Sequence, residues 1–280
     1  MNINPLLPQT CIVAILLFVF GWLVTPRLPK RMQRFFITLS LPAALPAFLF
    51  IYFYIFKSGE PLLYYRFRAI PYTEMCAAGI ALPAGQLFGI RYRADTYKII
   101  NFRVFYPIMV FVLVPVPFVK PAVMPLDYDR KWSRWEDGVC MQTTTATCGP
   151  CSAATLLRQA GLDASEKEIA RATYSYAHGT ENWYIARYLT SRGLKTRYAK
   201  TEPNPQSIPY PSIAGVRGLG YGHFIVVLDK TPRGYVIADS LVGKSIMTKS
   251  KLYEAYKFTG FFMVVENDYI AKDVMRRPRL

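Results

Sequence analysis

The chain has 280 residues, enough for one large domain or two small ones, and a formal net charge of +16. Its apolar content of 52 % and mean hydropathy of +0.16 are high for a water-soluble protein, and the uneven spread of apolar residues excludes a single mixed globular domain. Many of the cations flank the apolar runs (Arg27, Lys30, Arg31 and Arg34; Arg66 and Arg68; Arg91, Arg93 and Lys98), where they orient membrane segments and meet anionic lipid, so the lipid bilayer rather than nucleic acid is the expected partner.

A bilayer core of about 30 Å needs about 20 apolar residues per helix. Four stretches in residues 1–122 are expected to span, at about 7–25, 35–57, 69–90 and 104–120, giving an all-α transmembrane domain. The first has no cationic segment before it and no small-residue cleavage site, so it reads as a retained helix rather than a signal peptide. The third is the weakest, carrying Glu74 and two prolines, and the fourth contains Pro107, Pro115 and Pro117. Glu74 reads as an interfacial residue near Arg66 and Arg68 rather than a functional intramembrane acid. The link after the first stretch holds four cations and no acid, which places it in the cytoplasm and the N-terminus outside. Four spans then put the C-terminal domain on the periplasmic or extracellular side of a bacterial inner membrane. Without a crossing at 69–90 it would lie on the other side.

A linker is expected at 123–139, a soluble domain at 140–267 and a basic tail at 268–280. Within the domain, residues 149–160 read as a helix ended by Gly161, and 165–174 as a second with a capping box from Ser165 to Glu168. A third helix covers 181–191. The hydrophobic period then changes to two, giving strands at 196–200, 212–216, 223–229 and 235–239, a short helix at 251–256 and a closing strand at 261–266. Helices first and an antiparallel sheet second is an α+β arrangement.

The chemistry concentrates in four residues. Cys148 falls at the start of the first helix, where unpaired backbone N–H groups favour anionic sulfur. Gln142, six residues earlier, can join the Cys148 backbone N–H as an oxyanion hole. His223 opens an apolar strand able to hold an imidazole rigidly. Asp239 ends the next strand, where an antiparallel neighbour places it beside that ring. His178, the other histidine, sits in a Gly- and Thr-containing loop and reads as a surface residue or substrate-side contact rather than a catalyst.

The text Gln142-Thr-Thr-Thr-Ala-Thr-Cys148-Gly-Pro, the strand beginning Pro211-Ser-Ile-Ala, the run Gly222-His223-Phe-Ile-Val-Val and the run Val236-Ile-Ala-Asp239-Ser resemble the bacteriocin-processing, double-glycine-type cysteine peptidases of the papain-like superfamily. The resemblance covers roughly residues 140–266 and says nothing of the apolar half. It implies a papain-like peptidase domain, a Cys148–His223–Asp239 triad, Gln142 serving the oxyanion, and a peptide or protein substrate. No metal cluster or phosphate loop is visible in the sequence, so no cofactor and no metal are expected. Familiar members are fused to an export ATPase, whereas this chain shows no nucleotide-binding motif, so double-glycine specificity does not carry over.

Two other readings use the same residues. Cys148-Gly-Pro-Cys151 is the dithiol spacing of thioredoxin-like oxidoreductases, yet the residues before it are polar and cannot form the buried strand that such a motif follows. An acyl or peptidyl transferase would use the same triad and the same acyl-enzyme. Cys151 can also pair with Cys140 or act as a reversible lock on Cys148.

Overall fold

In the computed structural model the described residues are 4–56, 60–93, 100–128, 134–217 and 222–266. The expected tail at 268–280, part of the linker and most of the basic link before the fourth apolar stretch lie outside them. The chain divides into two compact units: one holds the chain up to Pro61 with Ile70–Val123, the other holds Leu62–Ala69 with the chain from Met124 onward.

The first unit is helical. Helix α1 (Leu6–Val24) is uncharged throughout and is followed by α2 (Lys30–Ser40). A 3-10 turn (Leu41–Ala44), α3 (Leu45–Leu49) and a π-helical turn (Phe50–Ile55) continue it. Pro42 and Pro46 each sit in the first turn of a segment, where their missing N–H costs no hydrogen bond, so the helix changes pitch without stopping. Leu6–Arg27 and Lys30–Ile55 are therefore the two helices long and apolar enough to cross a membrane among the described residues.

The expected span at 69–90 is corrected. Tyr72 takes a left-handed φ of 68°, a 3-10 stretch (Thr73–Ile80) follows, and only then comes α5 (Ala81–Arg93). The stretch is not among the helices long and apolar enough to cross a membrane in the described residues. Glu74 is fully buried inside the helical unit instead of lying at its surface. The fourth stretch is bent by 42° between Arg103–Leu113 and Val116–Val123, and counts as a third crossing only if both pieces form one span. It contains α6 (Ile100–Leu113) and α7 (Val119–Val123), parted by a 3-10 turn that follows Pro115. Four spans are thus not what the described residues show.

The second unit opens with α4 (Leu62–Ala69), named here by its place in the chain. A hairpin of β1 (Arg134–Glu136) and β2 (Val139–Met141) precedes α8 (Cys148–Gln159), α9 (Glu166–Ala172) and α10 (Asn182–Ser191). Then come β3 (Lys195–Lys200), β4 (Ser212–Arg217), β5 (Gly222–Thr231), β6 (Gly234–Asp239) and β7 (Gly243–Met247), followed by α11 (Lys249–Ala255) and β8 (Lys257–Glu266). The six strands β3 to β8 form one antiparallel sheet in the order β3-β8-β4-β5-β6-β7. Helices before an antiparallel sheet is the expected arrangement. The β1–β2 hairpin and β7 were not expected. Strand β7 is short and half polar, and becomes a strand only because the edge of β6 is open to pair with it.

Alternation along the strands gives the sheet two apolar faces. One, with Ile213, Val226, Ala238 and Met263, packs on α8, α9 and α10. The other, with Ile225, Val227, Ile237 and Phe262, is covered by Leu252 of α11 and Ile208. The N-cap half of the expected capping box is present, with Ser165 Oγ accepting the Glu168 N–H at 3.1 Å, while Glu168 Oε1 accepts from the Tyr188 hydroxyl and Arg192. In the β5–β6 turn Gly234 has a φ of +134°, and a Cβ there would run into the Met247 carbonyl, so this corner requires glycine.

Helix α4 is part of the second unit's packing. Arg68 is fully buried, its guanidinium 4.6 Å from the centre of the Trp183 ring, and Arg187 donates to the Arg68 carbonyl. Tyr65 meets Tyr198 and Phe261, with ring centres 5.6 and 5.4 Å apart.

Candidate active site

The site forms where the start of α8 meets the ends of β5 and β6. Cys148 is the first residue of α8, entered through Thr147, whose N–H and Oγ1–H both donate to the Thr144 carbonyl. The polar run between Gln142 and Cys148 is therefore a hydrogen-bonded loop rather than a strand. Alternation places His223 and Asp239 on one face of two paired strands, with Val226 opposite Ala238 fixing the register.

His223 and Asp239 meet directly. The ring Nε2 lies 2.8 Å from Asp239 Oδ1, and both side chains are buried. That leaves Nδ1 as the ring nitrogen available to Cys148, whose thiol is near enough to raise the His223 pKa. Asp239 is itself held on three sides: Oδ1 accepts the Leu241 N–H at 2.9 Å, and Oδ2 accepts the Tyr256 hydroxyl at 2.8 Å. Cys148 is 8 % exposed, so an attacking sulfur would be reached through a narrow opening.

The electrostatics follow from these contacts. Burial alone would lower the His223 pKa, but the bonds to Asp239 and Cys148 outweigh it and push it up to about 9. Burial works against the Asp239 carboxylate, yet the His223 bond and the Leu241 N–H hold its pKa below the ordinary 3.8. Burial and the adjacent Asp239 charge push the Tyr256 phenol well up, so it stays a donor.

Gln142 is drawn to the same corner. Its backbone N–H donates to the Ser240 carbonyl at 3.0 Å, and its Oε1 accepts the Ser240 hydroxyl at 2.7 Å. The side-chain Nε2 donates to the Thr144 carbonyl at 2.9 Å, which leaves its second N–H available. His178 is exposed in the turn bounded by Tyr176 and Gly179, apart from these residues in hydrogen bonding.

Sequence reasoning missed Ser240, Tyr256 and Glu166. Ser240 directly follows Asp239, so one strand end orients both the imidazole and the Gln142 amide; its place beside Asp239 was the available signal. Tyr256 reaches Asp239 from beyond α11 and had no local signature. Glu166, fully buried, accepts the Thr143 N–H at 2.9 Å and its hydroxyl at 3.0 Å, tying the loop before Cys148 to α9. The dithiol spacing is present in sequence, but Cys151 faces Cys140 at an Sγ–Sγ distance of 3.2 Å while Cys148 faces His223.

Residues 137–269 match the model of the Peptidase C39 family. An uncharacterized protein of Methanothermobacter thermautotrophicus is 30 % identical over 131 residues, 47 % of this chain and 89 % of that one. One from Methanothermobacter marburgensis is 29 % identical over 141 residues, covering 50 % of this chain and 96 % of the relative. Among solved structures, the peptidase domain of Streptococcus ComA, a bi-functional ABC transporter, aligns at a TM-score of 0.40 and 22 % identity over 46 % of this chain and 96 % of that domain. A double glycine motif protease from an AMS/PCAT transporter, in complex with the leader peptide, aligns at 0.40 and 18 % identity over 49 % and 94 %. With the family match spanning α8, β5 and β6, the chain belongs to the Peptidase C39 family and is a cysteine peptidase.

Proposed function

We propose that this chain is a membrane-anchored peptidase that cleaves peptide bonds through a Cys148–His223–Asp239 triad and an acyl-enzyme. The observation that carries this reading is the buried His223–Asp239 bond of 2.8 Å, with Cys148, at the first position of a helix, near enough to raise the His223 pKa. The Cys148 thiolate attacks the scissile carbonyl while His223 carries the proton. The free Gln142 N–H and the Cys148 backbone N–H receive the charge that develops on oxygen. His223 then protonates the leaving amine and, as a base, activates the water that releases the acyl group. Asp239 fixes the ring and its charge. Acyl transfer to an amine shares every step up to that water.

The anchor is the pair of apolar helices Leu6–Arg27 and Lys30–Ile55. The packing of α4 on the catalytic unit supports a placement. Residues 62–69 and the peptidase domain lie on one side of the bilayer, so the intervening 70–123 enters and leaves on that side. The N-terminus, two crossings before α4, shares it. The cationic link between α1 and α2 (Arg27, Lys30, Arg31 and Arg34) is then cytoplasmic and the catalytic domain exterior. This placement requires the bent pair Arg103–Leu113 and Val116–Val123 to re-enter on one side rather than form a third crossing.

Iodoacetamide at mildly acid pH, with the modified residue located by mass spectrometry, tests the chemistry. Fast labelling of Cys148 that His223→Ala abolishes supports the pair. Labelling indifferent to His223→Ala, with Cys148 cycling in a disulfide to Cys151, would replace the peptidase mechanism with a redox one.

A further inference from the structure

Behind the catalytic cysteine lies a second thiol site that the mechanism does not use. Cys140 on β2 and Cys151 on α8 are both fully buried, their sulfurs 3.2 Å apart. Cys140 is two residues before Gln142, and Cys151 is three residues after Cys148. The pair therefore joins the strand that leads into the oxyanion loop to the helix that carries the nucleophile. The Glu166 carboxylate completes a buried group whose three donor atoms lie within 4.8 Å of one another. Its Oε1 takes both Thr143 bonds, and its Oε2 has no hydrogen-bond partner among the described residues.

Three states suit two such cysteines: free thiols, a metal site or a disulfide. Two thiolates on one tetrahedral zinc, at bonds of about 2.3 Å, sit about 3.8 Å apart, wider than the pair here, and a closed structural site takes four ligands rather than three. A disulfide carries neither charge nor proton and suits an enclosed apolar position.

We propose that Cys140 and Cys151 form a structural disulfide that braces the nucleophile helix against the strand leading to Gln142. The proposal rests on the exterior placement of the domain, since disulfides persist in oxidising compartments. The oxidant is a protein or small-molecule disulfide, acting before the core closes. The thiolate of one cysteine attacks it, forming a mixed disulfide and releasing one thiol. The second cysteine then attacks the mixed disulfide, closing the Cys140–Cys151 bond and releasing the other thiol. The two electrons and two protons lost by the pair end on the two released thiols. The bond leaves Cys148 reduced, as the peptidase mechanism requires, and gives the Cys148-Gly-Pro-Cys151 motif no redox role.

The test is acid quenching of membranes holding the full-length protein, alkylation under denaturing conditions and non-reducing peptide mapping. In parallel, a topology reporter is fused at the C-terminus. Alkylated Cys11, Cys76 and Cys148, with Cys140 and Cys151 in one cross-linked peptide that reduction splits, is the expected result. In thermal melts of the purified full-length protein, reductant should lower the midpoint by about 5–15 °C. The Cys140→Ala/Cys151→Ala variant should not respond to reductant. All five cysteines alkylated with the reporter exterior overturns the disulfide alone; with the reporter cytoplasmic, it overturns the exterior placement as well. A Cys148–Cys151 cross-link, or zinc bound stoichiometrically to a reduced pair, also overturns it. Should the double variant fail to fold, the wild-type melts with and without reductant still decide.

Discussion

The two units of this chain are packed inside out with respect to each other. In the helical unit small residues fill much of the inside beside Phe50 and Tyr54: Ala14, Ala47, Ala77 and Ala81 are fully buried, while Leu16, Phe35, Leu39 and Phe56 are each more than 60 % exposed. In the catalytic unit the order is reversed, with Trp183, Phe262, Leu156 and Leu157 fully buried. The helices of the first unit approach through glycines. A Cβ on Gly85 or Gly89 would run into the Phe18 or Trp22 carbonyl, and one on Gly21 would come within 2.7 Å of the Leu82 carbonyl. A buried bond of 2.6 Å from Ser40 to Gln86 adds polar fixation. Small residues at the contact and bulky ones outward is how helices associate where the surroundings are already apolar. Large apolar side chains inward is how a domain folds where water drives burial. The same chain thus carries two packing rules, each suited to its own solvent.

The sharpest way to separate the units is to remove the chemistry and leave both packing rules alone. Cys148→Ala and His223→Ala should each lower turnover of a peptide substrate on the order of 10⁴-fold or more, with the far-UV circular dichroism unchanged. Gln142→Ala should cost about 10²–10³ in kcat, and full activity in that variant would remove Gln142 from the oxyanion hole. The pH profile probes the same site. The His223 pKa is raised to about 9 from 6.5, so the protonated ring persists through neutral pH, and kcat/KM should fall as pH rises through about 9. The stability that this ion pair gives is complete below pH 6.5 and lost as pH climbs through about 9. The Asp239 pKa is lowered, so its share is present above 3.8 and lost as pH falls below that value. Melts across that range that show no alkaline loss would contradict the pairing.

Packing changes should act on one unit at a time, and more weakly. Gly85→Leu should destabilise the helical unit by about 1–3 kcal/mol, through the carbonyl that its side chain meets, and leave Cys148 alkylation unaffected. Arg68→Ala should do the opposite. Losing the stacking on Trp183 should cost the catalytic unit about 1–2 kcal/mol, read as a lower melting midpoint, although residue 68 lies in sequence between the apolar helices. If Arg68→Ala shifted only detergent-dependent behaviour, α4 would belong with the helical unit. The smallest effect expected is for Tyr256→Phe, which removes one of the bonds on Asp239 and should cost about 1 kcal/mol in kcat/KM, most visible on the alkaline limb.

What the sequence alone determined was what repeats locally or sits at a fixed offset. The continuous apolar run of α1, the capping box from Ser165 to Glu168, the period change after Gly193 and the order Gln142, Cys148, His223, Asp239 are all visible without coordinates. Each is set by contacts within a few residues or by a two- or 3.6-residue period. The tertiary structure decided the rest. It left the apolar stretch at 69–90 out of the candidate spanning helices, because after the left-handed turn at Tyr72 its first half winds as a 3-10 helix where hydropathy alone sees one α-helix. It moved α4 from the apolar half to the catalytic unit, because a buried arginine between aromatic rings is a matter of distant partners. It set Cys151 against Cys140: residues three apart on a helix are neighbours, so the spacing alone allows a Cys148–Cys151 pair, and only the strand packed against α8 supplies the competing sulfur. Local spacing names the reactive groups; which of them meet is settled by the long-range pairing of strands and helices, and no sequence period encodes that.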